Sequence, residues 1–152
     1  MKAIVVSSLL AGLLATAGAG HGQMGMMQGG GSGISFIRHQ FVMQHGIDPD
    51  YASKENPLEA SDDNLEAGKK LYDQNCSACH GPSGLGDGVA GKQLKPPPSN
   101  IAASTKMGMS TDGYLYWTIA EGGVPLHTAM PAFKGALKED QIWQIILYIR
   151  QL

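Results

Sequence analysis

Residues 76–80 read Cys-Ser-Ala-Cys-His, and Cys76 and Cys79 are the only cysteines in the chain. This short stretch constrains the fold more than any other. In a helical turn, thiols at positions i and i+3 lie on one side. Each can add to one vinyl group of a single porphyrin, and the His that follows then sits beneath the iron. A thioredoxin-like pair expects a preceding strand and a βαβ pattern, whereas a helical pattern precedes this one. A zinc site expects two further ligands at ordered spacing, and no third cysteine exists. A plain disulfide leaves His80 without a role. The motif therefore predicts one covalently attached haem c, held through Cys76 and Cys79 with His80 as an iron ligand.

The rest of the chain is organised around that point. Residues 1–19 carry a basic Lys2, an apolar run from Ala3 to Leu14 and small residues ending at Ala19, the pattern of a cleaved secretory signal peptide. An uncleaved anchor is the alternative, although the run is short against the roughly 20 residues a span needs. Export places the protein in a periplasm. Residues 20–33 form a Gly- and Met-rich flexible arm. Residues 34–60 form an N-terminal extension, with a short helix over 34–45 presenting Ile34, Ile37 and Phe41 on one face. A strap over 47–60 follows, because Pro49 and Pro57 push the residues before them toward extended geometry.

Residues 61–152 form the main domain. A first helix spans 63–75, capped by Asp63 with Glu66 or by Ser61. A middle helix spans 113–121, capped by Thr111 or Asp112 and stopped by Gly122-Gly123. A last helix spans 138–151 with Ile142, Ile145, Ile146 and Ile149 in one stripe. Residues 81–100 and 124–136 are loops, and no strand pattern stands out. So few helices with such long loops make a poor core at this size, so a large apolar group should fill the middle. The formal charge of −2, without a basic stripe, argues against nucleic acid as partner.

A second iron ligand has to come from elsewhere. Met130 lies in the loop Ala129-Met130-Pro131-Ala132-Phe133, and a thioether ligand raises the potential and suits a carrier. His127 competes for that position, and Met130 as core filler is the plainer alternative. His21, Met24, Met26 and Met27 cluster in the arm, where soft ligands suit copper; a simple tether explains them equally. His39 and His45 read as surface or strap residues without a role. Lys92, Lys95, Lys106 and Lys134 fall in loops that should rim the haem edge, as steering charges or as ordinary solvated lysines.

The CSACHG motif, the downstream Pro96-Pro97-Pro98-Ser99-Asn100-Ile101, the late AMPAF segment and the closing IWQIILYIR together resemble the class I c-type cytochromes of the bacterial monohaem kind, over residues 61–152. Residues 38–58 more distantly resemble N-terminal extensions on some proteobacterial cytochromes. The resemblance implies an all-α small cytochrome c fold, three to four helices wrapped around one haem. It implies that the first and last helices cross closely at Gly68 and Tyr72, with Trp143, Leu147 and Tyr148 as candidates opposite. It implies a proline carbonyl, Pro98 or else Pro97, accepting the ring proton of His80. Tyr114 and Trp117 become haem-pocket or propionate partners, unless they serve only as core. The implied function is single-electron transfer in the periplasm, by a carrier and not an enzyme, in brief encounters with redox partner proteins. Two rivals stand beside it: the electron-accepting subunit of an oxidoreductase, docked through residues 34–60, and a haem enzyme or gas sensor with a vacant iron face.

Overall fold

A computed structural model describes residues 36–152. The stretches read as a signal peptide and as an arm, with its copper candidates, lie outside the described residues. Seven helices follow one another: α1 Phe36–His45, α2 Pro49–Ala52, α3 Asp62–Asn75, α4 Ser77–His80, α5 Ile101–Ser104, α6 Asp112–Glu121 and α7 Glu139–Ile149. Single 3-10 turns lie at Val89–Gly91 and Val124–Leu126. Among the described residues there is no strand. α1, α3, α6 and α7 are the helices of ten residues or more; the other three are single turns.

The frame is the crossing of α3 over α7. Gly68 makes it close: a Cβ there would overlap the Gln144 carbonyl and lie 3.1 Å from the Tyr148 Cβ. One turn on, Tyr72 is fully buried and its ring centroid lies 5.3 Å from that of Tyr148. The Tyr72 hydroxyl donates to the Gly81 carbonyl at 2.7 Å, so its burial leaves no unmet polar group. Trp143 packs 4.4 Å from Tyr116 instead, tying α7 to α6. The isoleucine stripe of α7 is buried throughout, at Ile142, Ile145, Ile146 and Ile149.

Local chemistry sets the helix starts. Ser61 Oγ accepts the Asn64 amide at 3.3 Å, so Ser61 and not Asp63 is the cap of α3. Thr111 Oγ1 accepts the Tyr114 amide at 3.2 Å and caps α6. Two one-turn helices lie in segments read as strap or assigned no element. The restriction imposed by Pro49 falls on Asp48 alone (φ −48°, ψ 126°), which becomes a cap, while Pro49 begins α2. Asn100 Oδ1 accepts the Ala103 amide at 2.9 Å and starts α5 in the same way.

The extension packs on the domain with a different face from the one its pattern suggests. Ile37 is 39% exposed, whereas Arg38 is only 9% exposed. The helix is rotated by one residue because Arg38 has two partners inside. Its Nη2 donates to the Gly122 carbonyl at 2.6 Å, and its guanidinium lies 4.9 Å from the Trp117 ring centroid. Phe41 stacks on the same indole at 5.9 Å. α2 is held by Tyr51, which stacks on Tyr116 at 5.9 Å and donates to Glu121 Oε1 at 2.5 Å. Farther along, Asn56 Nδ2 donates to the Trp143 carbonyl at 3.1 Å.

Candidate cofactor cavity

Ser77–His80 of the motif form α4, one turn that continues from α3 with Cys76 as the cap between them. The Cys76 amide donates back to the Tyr72 carbonyl at 2.8 Å. The His80 amide donates to the Cys76 carbonyl at 2.9 Å. Gly81, at φ 78°, ends the turn. The loop then folds back under the motif, with Gly86 N–H on the His80 carbonyl at 2.8 Å and Gly88 N–H on the Cys79 carbonyl at 3.1 Å. Gly86 has φ +80°, and a Cβ there would lie 2.5 Å from the Pro98 carbonyl and 3.2 Å from the Ser99 carbonyl. Only glycine admits that approach, and it brings Pro98-Ser99 beneath His80.

The acceptor for the His80 ring is the Ser99 carbonyl, 2.9 Å from Nδ1, not that of Pro98. The turn places the carbonyl one residue later than the resemblance implied, and Pro98 contributes a cavity wall instead. A carbonyl only accepts, so Nδ1 carries the proton and Nε2 keeps a free lone pair, the form that ligates metal. Burial lowers the His80 pKa, with the Ser99 bond acting the other way; the ring is thereby favoured as the neutral form.

Cys76 and Cys79 are not joined to each other by a disulfide. Burial, and then the neighbouring Cys79, push the Cys76 thiol up to about 12. That is the reverse of a redox-active pair, whose attacking thiol is lowered. Among the described residues no three His, Cys, Asp or Glu side chains group to hold a metal ion.

Cys76, Cys79 and His80 open onto one cavity of about 190 Å3. Leu115, Ile119, Phe133, Ile145 and Ile149 supply apolar walls, and Met130 lies in the lining from the loop between α6 and α7. The Gly123 amide donates to the Met130 carbonyl at 2.9 Å and pins that loop. His127 is exposed, at φ 53° on the end of a 3-10 turn, and is not part of the lining. Tyr114 lines the cavity, where burial raises its pKa against the opposing charge of Arg38. Trp117 does not line it. At 4% exposed, its indole packs behind the lining, against Phe41, Arg38 and Tyr114.

Four lining residues escaped the sequence reading. His39, assigned no role, borders the cavity with Met107 and Met109, and its Nδ1 meets the Met109 sulfur. Arg38 also borders it. Its signal was a lone cation in place of an apolar residue on the inward face of α1. Of the four rim lysines, Lys134 is tied to Glu121 at 2.8 Å and Lys106 reaches the Leu152 carbonyl at 3.4 Å; Lys92 and Lys95 are exposed.

One observation tests whether a haem suits this cavity. Among the described residues, the buried side-chain polar atoms without a partner are Arg38 Nη1 and Thr118 Oγ1. Both residues belong to this lining. An apolar cleft with two thiols, a ligating imidazole, a thioether and two waiting donors fits a flat apolar macrocycle that carries carboxylates.

Residues 63–149 match the family model described as "Cytochrome C oxidase, cbb3-type, subunit III". The chain belongs to that cytochrome c family. A cytochrome c6 of Leptolyngbya boryana is 39% identical over 83 residues, spanning 55% of this chain and 86% of that one. The cbb3-type cytochrome c oxidase subunit CcoP of Azospirillum brasilense is 30% identical over 87 residues, spanning 57% of this chain and 28% of that one. A chain of the Kuenenia stuttgartiensis reducing HAO-like protein complex superposes with a TM-score of 0.53 at 27% identity, over 62% of this cytochrome and 46% of that chain. The cytochrome therefore binds haem c covalently, and its domain serves haem-based electron transfer. No helix among the described residues is long and apolar enough to cross a membrane.

Proposed function

We propose that this cytochrome is a periplasmic carrier of single electrons, with Cys76 and Cys79 holding the haem by thioethers and His80 and Met130 as its axial ligands. Haem supplies a one-electron couple. Every other contribution comes from the chain. Cys76 and Cys79, one turn of α4 apart, anchor the group to the backbone that α3 and α7 hold rigid. His80 binds through Nε2, and the Ser99 carbonyl fixes its ring and strengthens it as a donor. Met130 supplies a soft ligand that favours the reduced state. The apolar walls from α6 and α7 exclude water, so little reorganises when the charge changes. The single observation that supports this most is the convergence of Cys76, Cys79, His80 and Met130 on one cavity.

The optical spectrum of the purified holoprotein tests the ligand pair. The expected result is a low-spin haem with the weak charge-transfer band of methionine-ligated ferric iron, and no carbon monoxide complex at neutral pH. Ready binding of carbon monoxide would leave Met130 without its role and favour the sensor reading. A second reading, an electron-accepting subunit of an oxidoreductase, draws support from exposed Phe36 and Met43 on α1 and from the complexes named among its relatives. A stable stoichiometric partner on purification would favour it.

A further inference from the structure

Arg38 lies outside the residues 63–149 that match the family, yet it reaches the haem cavity. It is 9% exposed, and no carboxylate among the described residues pairs with it. One amino group, Nη2, is satisfied by the Gly122 carbonyl. The other, Nη1, is buried without a partner. Burial draws its pKa down to about 10, so the group stays charged at neutral pH. A buried, half-satisfied guanidinium is costly unless an anion meets it. The haem placed in this cavity under the reading above brings carboxylates and no other anion, and a guanidinium matches a carboxylate in geometry.

We propose that Arg38 receives a haem propionate on Nη1, so that the N-terminal extension closes the cofactor site. This rests on the assignment of the haem to that cavity. α1 is then more than a strap. Phe41 on Trp117 and Nη2 on Gly122 dock the helix, and the second arm of the same guanidinium neutralises the propionate. The consequence is electrochemical. A propionate left without its cation stabilises ferric over ferrous iron, so loss of Arg38 lowers the midpoint potential.

The test compares full-length holoproteins by redox titration and thermal melting. Arg38→Gln and Arg38→Met should each retain covalent haem and the methionine band while shifting the redox equilibrium about tenfold toward the oxidised form, about 59 mV for one electron. Met keeps the apolar stem, so it serves where Gln fails to accumulate. Asn56→Ala removes a bond that ties the far end of the extension to Trp143, without touching the charge or the dock of α1; it should lower the melting temperature and leave the potential near that of the parent. Arg38 variants with intact haem and a parental potential would overturn the proposal alone. So would an Asn56→Ala protein whose potential falls as far as theirs. A parent protein without haem would instead overturn the cavity assignment, and this proposal with it.

Discussion

The two walls of the cavity are built by different means. The wall bearing Cys76, Cys79 and His80 is local. One helical turn, a folded-back loop and the Ser99 carbonyl fix it through short backbone hydrogen bonds. The wall bearing Met130 leans on the extension: the loop after α6 is pinned at Gly123, and Lys134 beyond it is tied to Glu121 at the end of α6. Glu121 also accepts from Tyr51 of the extension. The contrast teaches that anchoring and tuning are separable. The anchoring wall follows from the motif turn and the α3–α7 crossing, whereas the tuning wall also depends on a residue of the extension.

The largest effect should come from the crossing. Helix propensity alone predicts that Gly68→Ala stabilises the protein by about 1 kcal/mol. The Gln144 carbonyl and Tyr148 stand where the methyl would go. The expected result is therefore a loss of about 2–3 kcal/mol, read by denaturant unfolding, and a gain in stability would mean the helices cross less closely. On the other wall, Met130→Ala should keep its covalent haem, lose the methionine charge-transfer band and bind carbon monoxide when reduced. An unchanged spectrum would pass the ligand role to Met107, Met109 or His39.

Smaller effects sharpen the same contrast. Tyr72→Phe removes a buried hydrogen bond to Gly81 on the anchoring side and should cost about 1 kcal/mol at unchanged potential. Glu121 probes the other side by pH. Lys134 and then Tyr51 hold its carboxyl below the usual carboxylate range. A depressed pKa contributes stability above the unfolded carboxylate value, near 4.3, and loses it as the pH falls through the folded value. Glu121→Gln should thus cost a few tenths of a kcal/mol at pH 7 for so exposed a pair. Its melting temperature should converge with the parent's toward pH 3; a gap that widens in acid would contradict the assignment.

Much of this was legible from the residues. The motif placed three cavity residues because their spacing is the chemistry, and the stripe of α7 announced its buried face. The positions that were not legible share a cause. Arg38 and His39 belong to a helix whose apolar pattern pointed to Ile37, and only the Gly122 carbonyl and the Trp117 ring, more than 70 residues away, explain the rotation. Trp117 read as a pocket residue or as core because aromatic identity does not decide between them; it packs behind the lining residues Arg38 and Tyr114. Ser99 displaced Pro98 because a carbonyl's direction depends on the whole turn, here on Gly86. α2 and α5 were too short to leave a periodicity, though Asp48-Pro49 and Asn100 carried their caps.

The central claim is most directly tested by the mass of one peptide. Trypsin should release residues 71–92 of the mature holoprotein, which contain both cysteines. The account predicts that peptide with a single haem added and no free thiol. The bare peptide, with both thiols open to alkylation in protein made with an intact maturation system, would contradict it.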